Sequence, residues 1–148
     1  KPSDWEELAE QVKEHGRYNA YRLATAPTGS ISYIRSCTAS MAPITEKVEI
    51  RDYADSRTIY PMPYMTDDNK HLYLEAYDID QFRMIDMYAS AQKHIDQAIS
   101  MTLYITGTEY DTERLTKLYA YAQHKNIKSV YYVRQRLQTL EECIACSV

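Results

Sequence analysis

The residue types best suited to chemistry are two cysteines separated by two residues, Cys143 and Cys146. This spacing allows a disulfide between the two sulfurs or joint binding of one metal ion. A metal site needs two more ligands, but the four histidines are scattered and no second CxxC occurs, so zinc is disfavoured. A thioredoxin-like site needs a helix after the pair to lower the first thiol pKa, and only two residues follow. Two interpretations remain: a dithiol on a mobile arm, or a terminal segment with two idle cysteines.

The length of chain before the cysteines suits the arm. Cys143 lies eleven positions after Tyr132, and a fully extended chain of that length spans roughly 37 Å. Such an arm is long enough to enter a pocket and then to turn outward to a reductant.

A second candidate is the turn from Ala26 to Ser32. A predicted strand ends there, Pro27, Thr28 and Gly29 turn the chain, and a helix is predicted to begin. A helix start presents unpaired N–H groups and partial positive charge, which suits a phosphate. An ordinary capped turn has the same pattern, and the residues alone favour that simpler interpretation.

A third candidate is the adjacent pair Tyr131 and Tyr132, in a chain with 15 tyrosines, one phenylalanine and one tryptophan. Stacked phenols can relay single electrons. Neighbouring residues of a strand face opposite sides, however. From the residues alone we therefore predict that the two rings are separate.

The first element that positions these groups is a helix near the N-terminus. Ser3 and Glu6 have the spacing of a capping box, and Gly16 is predicted to end the helix. Its apolar face comprises Trp5, Leu8, Ala9 and Val12.

The remaining pattern predicts an α/β fold with parallel strands. Asp80 is a plausible N-cap for the helix 81–97, with Phe82, Ile85 and Ala89 facing inward. The predicted strands are 21–26, 48–53, 57–60, 99–105 and 128–133, and apolar residues alternate along 99–105. The other predicted helices are 30–40 and 112–125. The second of these has Leu115, Leu118, Tyr119 and Ala122 on one face. Parallel strands are normally buried on both faces, and these strands are too few to close a barrel.

Composition is typical of one globular domain: 148 residues, 45% hydrophobic and 26% charged. A net charge of −4 gives no reason to expect nucleic acid or an acidic membrane as partner. No apolar run reaches the length of a membrane span. The polar first residues, which lack an initiator Met, predict a trimmed or longer parent chain rather than a signal peptide. Three cysteines suit a reducing cytosol.

Several runs of the chain resemble the large (α) subunit of class I ribonucleotide reductases, and its loop and CxxC ending resemble class Ib. In the family's order these runs are Trp5–Leu8, Gly16–Pro27, Pro27–Tyr33, Gln92–Ser100, Lys128–Arg134 and Glu141–Cys146. The resemblance implies a C-terminal part of the family's ten-stranded α/β barrel, incomplete on its own. Residues 1–133 would be barrel and residues 134–148 a mobile redox-active tail.

The resemblance also implies a role for each candidate group. The substrate diphosphate would lie on the backbone of Pro27, Thr28, Gly29, Ser30 and Ile31. Tyr131 and Tyr132 would be stacked and would relay the radical from the small (β) subunit, where a manganese or iron dimetal centre with a tyrosyl radical is expected; no cofactor is expected in this chain. Cys143 and Cys146 would re-reduce the active site and be reduced by a thioredoxin- or glutaredoxin-like protein. Cys37 matches no redox cysteine of the family, and we predict that it is buried.

The same resemblance places the hydrogen-abstracting cysteine and the effector site upstream of these residues. The chain alone is therefore expected to be inactive, and to contribute to making deoxyribonucleotides for DNA replication only with the upstream α portion and the small subunit. Two alternatives stay open. One is a non-catalytic relic or decoy that binds the small subunit or a redoxin; the other, disfavoured, is a free-standing thiol oxidoreductase.

Overall fold

The structure is a computed structural model that describes residues 1–53, 56–107 and 111–137. In chain order its helices and strands are α1 (Pro2–His15), α2 (Gly29–Arg35), β1 (Val48–Tyr53), β2 (Ser56–Pro61), α3 (Gln81–Gln92), β3 (Thr102–Gly107), α4 (Thr112–His124) and β4 (Tyr132–Leu137). Single 3-10 turns occupy Lys70–Leu72 and Ala76–Asp78.

The predicted parallel β–α–β unit is confirmed in the second half of the chain. Strands β3 and β4 pair in parallel from Thr102 opposite Tyr132 to Gly107 opposite Leu137, with α4 connecting them. The two extended segments predicted around residue 50 form an antiparallel hairpin of β1 and β2. The predicted strand 21–26 is wrong, since one parallel bridge, Thr25 to Ile99, is all the pairing that the described residues give it.

The core lies between β3 and the helices α3 and α4. Its fully buried side chains are Ile85, Tyr88, Ile99, Met101, Leu103 and Leu118. The alternating apolar residues do form a strand, and burial on both faces is confirmed, because residues 101 to 105 are all buried. A parallel strand covered on both faces has no solvent side on which to place polar residues, and here Thr102 and Tyr104 are enclosed as well.

Helix α1 forms where predicted but begins earlier. Its N-cap is Lys1, whose backbone nitrogen donates to the Asp4 carboxylate at 2.9 Å, so the Ser3–Glu6 capping box is wrong. Gly16 ends the helix with φ at 72°, a conformation that glycine adopts without strain. No residue of α1 is buried, and Trp5 is 73% exposed.

Helices α3 and α4 form where the apolar periodicity predicts them, but two of the residues predicted to face inward do not. The Asp80 carboxylate accepts from the Phe82 amide at 2.9 Å, as expected of an N-cap, but α3 ends at Gln92, five residues before the predicted end. Phe82 and Tyr119 are exposed, against prediction. Phe82 packs edge-on against Tyr121 at 5.1 Å between centroids, so the contact between α3 and α4 holds it at the rim of the core.

The last strand begins and ends about four residues later than predicted. The Tyr131 amide donates to the Met101 carbonyl at 2.7 Å, and β4 then runs from Tyr132 to Leu137. Its end is held by Arg136, which lies 3.5 Å from Glu75 and stacks 4.2 Å over the Tyr77 ring. Residues 134–137 therefore belong to a strand where the sequence predicted the start of a tail.

Candidate functional site

A cavity of about 590 Å³ joins the turn near residue 28 to the tyrosine pair, which lie a hundred residues apart in the chain. Pro27, Thr28 and Gly29 line one side of it, and Tyr131 and Tyr132 line another. The two remaining residues predicted to bind substrate, Ser30 and Ile31, are exposed and lie outside this lining. The structure thus brings together two of the three groups that the sequence singled out.

The turn is fixed by a reciprocal pair of hydrogen bonds. The Ser40 amide donates to the Thr28 hydroxyl at 2.9 Å, and the Thr28 amide donates to the Ser40 hydroxyl at 3.3 Å. The Ser40 hydroxyl also donates to the Ala26 carbonyl at 2.9 Å. Ser40 was missed by sequence reasoning, because nothing in a lone serine twelve residues away marks it as a partner of the turn.

The start of α2 leaves backbone N–H groups for a ligand. Helix α2 begins at Gly29, so the amides of Gly29, Ser30 and Ile31 have no partner within the helix. The Thr28 amide is already bonded to Ser40, and Pro27 has no N–H. A Cβ atom at Gly29 would meet no atom within 4 Å, so the packing of the described residues leaves open space there.

The two tyrosine rings are in contact, against the prediction from strand alternation. Their centroids are 4.0 Å apart and the planes are inclined at 53°. Alternation does not separate them because Tyr131 precedes β4 and Tyr132 is its first residue. A hydrogen bond between the two phenols is the main cause that raises the pKa of Tyr131.

The strand register completes this wall of the cavity. Thr102 lies opposite Tyr132, and Tyr104 lies opposite Arg134. Residues two apart on a strand share one face, so these four side chains line the cavity from the same side of the sheet, as their positions in its wall confirm. The wall therefore combines phenols with one guanidinium group.

A polar cluster that sequence reasoning missed also lines the cavity. Arg51 on β1 is 2.9 Å from Glu49 and stacks 4.4 Å over the ring of Tyr33 on α2. The Tyr33 hydroxyl donates to Glu49 and accepts from Arg51. Tyr60 on β2 packs against Tyr33 with centroids 4.8 Å apart.

Asp96 ties the segment before the turn to the core. Its carboxylate accepts from the backbone amides of Arg22 at 2.9 Å and Leu23 at 3.2 Å. The bond from the Arg22 amide is the main cause that lowers the pKa of Asp96. Nearby, the Leu23 carbonyl accepts from the Gln97 amide at 3.1 Å. These bonds set where the chain enters the turn.

The cysteines do not take part in this geometry. Cys37 is exposed and forms no disulfide, so the prediction of a buried side chain is wrong. The short helix α2 ends just before Cys37, which lies among the residues that line the cavity. Cys143 and Cys146 lie outside the described residues. Across the described ranges, no three His, Cys, Asp or Glu side chains are grouped as a metal site, and no helix there is long and apolar enough to cross a membrane.

The arrangement supports two kinds of chemistry side by side. Free amides at a helix start bind an anionic group. When one of two touching phenols has been oxidised to its oxygen radical, the other can pass it one electron together with its hydroxyl proton. Gly29, which carries the first of these amides, lines the same cavity as the phenols.

The chain is similar to known proteins over most of its length. Residues 1–133 match the family model of the ribonucleotide reductase barrel domain. The chain is 48% identical over 145 residues to the ribonucleoside-diphosphate reductase subunit alpha of Bacillus subtilis, covering 98% of this chain and 21% of the relative, and 40% identical to the Mycoplasma pneumoniae subunit, covering 94% and 19%. The class Id alpha subunit of Actinobacillus ureae has a similar fold, with a TM-score of 0.64 at 24% identity over 93% of this chain and 32% of that one. The chain thus spans about a fifth of the length of these curated relatives.

Proposed function

Since the chain belongs to the ribonucleotide reductase barrel-domain family, we propose that it is the C-terminal part of a ribonucleoside-diphosphate reductase α subunit, of the Ib class. In this role it acts together with the upstream α portion and the small subunit. It contributes substrate-phosphate binding, radical transfer and electron resupply to the reduction of ribonucleoside diphosphates, and not the cysteine that abstracts hydrogen.

The observation that carries this proposal is the shared cavity. A substrate-binding turn and a radical relay must serve the same bound molecule, so the proposal requires both to open into one space. Gly29 and the pair Tyr131 and Tyr132 do line one cavity, although the residues alone gave no reason to bring them together.

The proposed binding mode uses the first turn of α2. The diphosphate accepts hydrogen bonds from the amides of Gly29, Ser30 and Ile31, where the helix dipole favours negative charge. Thr28 contributes by holding the turn through Ser40 rather than by binding phosphate with its hydroxyl. Ser30 has an exposed side chain, so its hydroxyl is available for a phosphate oxygen.

The proposed relay uses the contact between the two phenols. One electron and one proton pass from the hydroxyl of one tyrosine to the oxygen radical of the other, so that the radical moves and charge is conserved. The hydrogen bond between the two phenols, which raises the pKa of Tyr131, supports this coupling because it gives the proton a direct path from one oxygen to the other. Cys143 and Cys146 are proposed to supply the electrons consumed in each turnover, and then to be reduced by a redoxin.

A chimaera tests the proposal. The corresponding stretch of the Bacillus subtilis α subunit is exchanged for this chain, and reduction of ribonucleoside diphosphates is assayed with that enzyme's small subunit and a redoxin. We expect turnover, and its loss in Tyr131→Phe, because a phenyl ring cannot exchange a hydrogen atom. Tyr119→Phe is the matched control, since Tyr119 is 45% and Tyr131 46% exposed.

The cysteine pair is tested in the same chimaera. Cys143→Ser should abolish turnover with the redoxin and preserve it with a small dithiol that enters the active site directly. A chimaera that assembles with the small subunit and binds substrate, yet shows no turnover, would refute the proposal and favour a non-catalytic binding module.

A further inference from the structure

Helix α2, which carries the proposed phosphate-binding amides, packs little apolar surface against the other described residues of this chain. It has seven residues, too few to be stable as an isolated helix. Ser32 is its one buried residue, and Ile31 and Ile34 point outward and are mostly exposed. Packing of apolar side chains against the core therefore does not fix its orientation.

The polar cluster that lines the cavity connects α2 to the β1–β2 hairpin. Tyr33 on α2 contacts the hairpin by three kinds of interaction: hydrogen bonds to Glu49 and from Arg51, stacking beneath the Arg51 guanidinium at 4.4 Å, and a ring contact with Tyr60 at 4.8 Å. Arg51 is itself fixed by the ion pair with Glu49 at 2.9 Å. A planar guanidinium that is both paired and stacked has few alternative orientations.

We propose that Tyr33, Glu49 and Arg51 are positioning residues, which use the β1–β2 hairpin to hold the first turn of α2 at the correct angle to the cavity. The inference rests on the proposed function, in that the ligand so positioned is the substrate diphosphate. In this arrangement the hairpin determines how tightly substrate is bound, and the tyrosine pair determines how fast the radical is delivered.

Two variants and one control separate this role from a general loss of stability. Tyr33→Phe keeps the ring and its stacking but removes the hydroxyl, and Glu49→Gln removes the charge that pairs with Arg51. Arg57→Gln is the matched control: it breaks another ion pair within the same hairpin, Arg57 to Asp52 at 2.7 Å, whose side chains are exposed and are not contacts of α2.

The first measurement is hydrogen exchange of backbone amides in the whole chain. We expect Tyr33→Phe and Glu49→Gln to speed exchange in residues 32–35 of α2, and Arg57→Gln to leave it unchanged. Unchanged exchange in both cluster variants would overturn the proposal, whatever the activity of the enzyme.

The second measurement is steady-state kinetics of the chimaera. Loss of a hydrogen bond to a charged group in the cluster should raise KM for the nucleoside diphosphate by roughly tenfold, with kcat nearly retained. A fall in kcat at constant KM, or an equal rise in KM in Arg57→Gln, would overturn the proposal. If the parent chimaera is inactive, the proposed function fails on its own, and the exchange measurement still decides whether the cluster holds α2.

Discussion

The chain before residue 76 and the chain after it bury apolar surface very differently. After that point, α3, β3 and α4 enclose a continuous core from Ala76 to Ala122. Before it, Ser32 is the one buried residue among those that the structure describes, while Trp5 and Ile34 are mostly exposed. The second region is held by the hydrophobic effect, and the first by hydrogen bonds and single bridges to the second.

The candidate site lies where these two regions meet. One wall, with Tyr131 and Tyr132, is carried by the sheet of the packed region. The other, with Gly29 and Tyr33, is carried by elements that bury almost nothing. The packed region thus carries the proposed radical relay, and the more exposed region carries the proposed phosphate-binding turn.

The largest expected effect comes from two leucines on helices of opposite regions. Leu118 on α4 is fully buried, whereas Leu8 on α1 is 47% exposed. Leu118→Ala should lower the free energy of unfolding by about 2–5 kcal/mol, because it leaves a cavity in the core. Leu8→Ala should change it by less than about 0.5 kcal/mol. Urea unfolding of both variants provides the measurement, and equal losses would break the comparison.

A smaller effect is expected at Asp96, which ties the first region to the second. Its lowered pKa means that the carboxylate stabilises the fold above the pKa of an unfolded aspartate, and that this contribution is lost as pH falls through the lower folded value. Asp96→Ala should therefore release the Arg22 and Leu23 amides at every pH and leave the core intact. Amide NMR signals of these residues, followed into the acid range, provide the test; signals that titrate alike in the variant would refute it.

The smallest effect is expected at Tyr88, in the centre of the core. Its hydroxyl is buried and has no hydrogen-bond partner among the described residues. Burial raises its pKa to about 12. The resulting contribution to stability is fully present below the ordinary tyrosine pKa and is lost as pH rises from there through the folded value of about 12.

The test at Tyr88 is a comparison of unfolding at neutral and alkaline pH. Tyr88→Phe should change stability at neutral pH by no more than about 1 kcal/mol, since the lost hydroxyl had no partner. It should also weaken the decline of stability above the pKa of free tyrosine. A variant that declines as steeply as the parent protein would show that another group dominates the alkaline transition.

Periodicity predicted the packed region well and the looser region poorly. Helices α3 and α4 and the parallel pairing of β3 with β4 followed from apolar spacing, because burial dictates that spacing. The predicted strand 21–26 failed because its pairing partner is a single residue, Ile99, far along the chain. Phe82 and Tyr119 were misplaced because spacing identifies a helical face without its edges.

The candidate site was only partly predictable, for two physical reasons. The Tyr33 cluster joins residues 16 and 18 positions apart on different elements, so no local pattern reveals it. The tyrosine contact was predicted not to exist, since strand alternation was applied to Tyr131, which lies just before the strand. The resemblance to a family, rather than periodicity, indicated that the two rings belong together.

The extension of β4 to Leu137 shortens the tether of the cysteine pair. Counted from Leu137, Cys143 is six residues away, which limits it to roughly 20 Å from the anchored strand end, about half the reach counted from Tyr132. A short tether raises the effective concentration of a thiol at nearby sites, to the order of millimolar, and excludes sites beyond its length. For the proposed redox role of Cys143 and Cys146, the Arg136 contacts with Glu75 and Tyr77 near the strand end therefore bear on the greatest distance at which the pair could react.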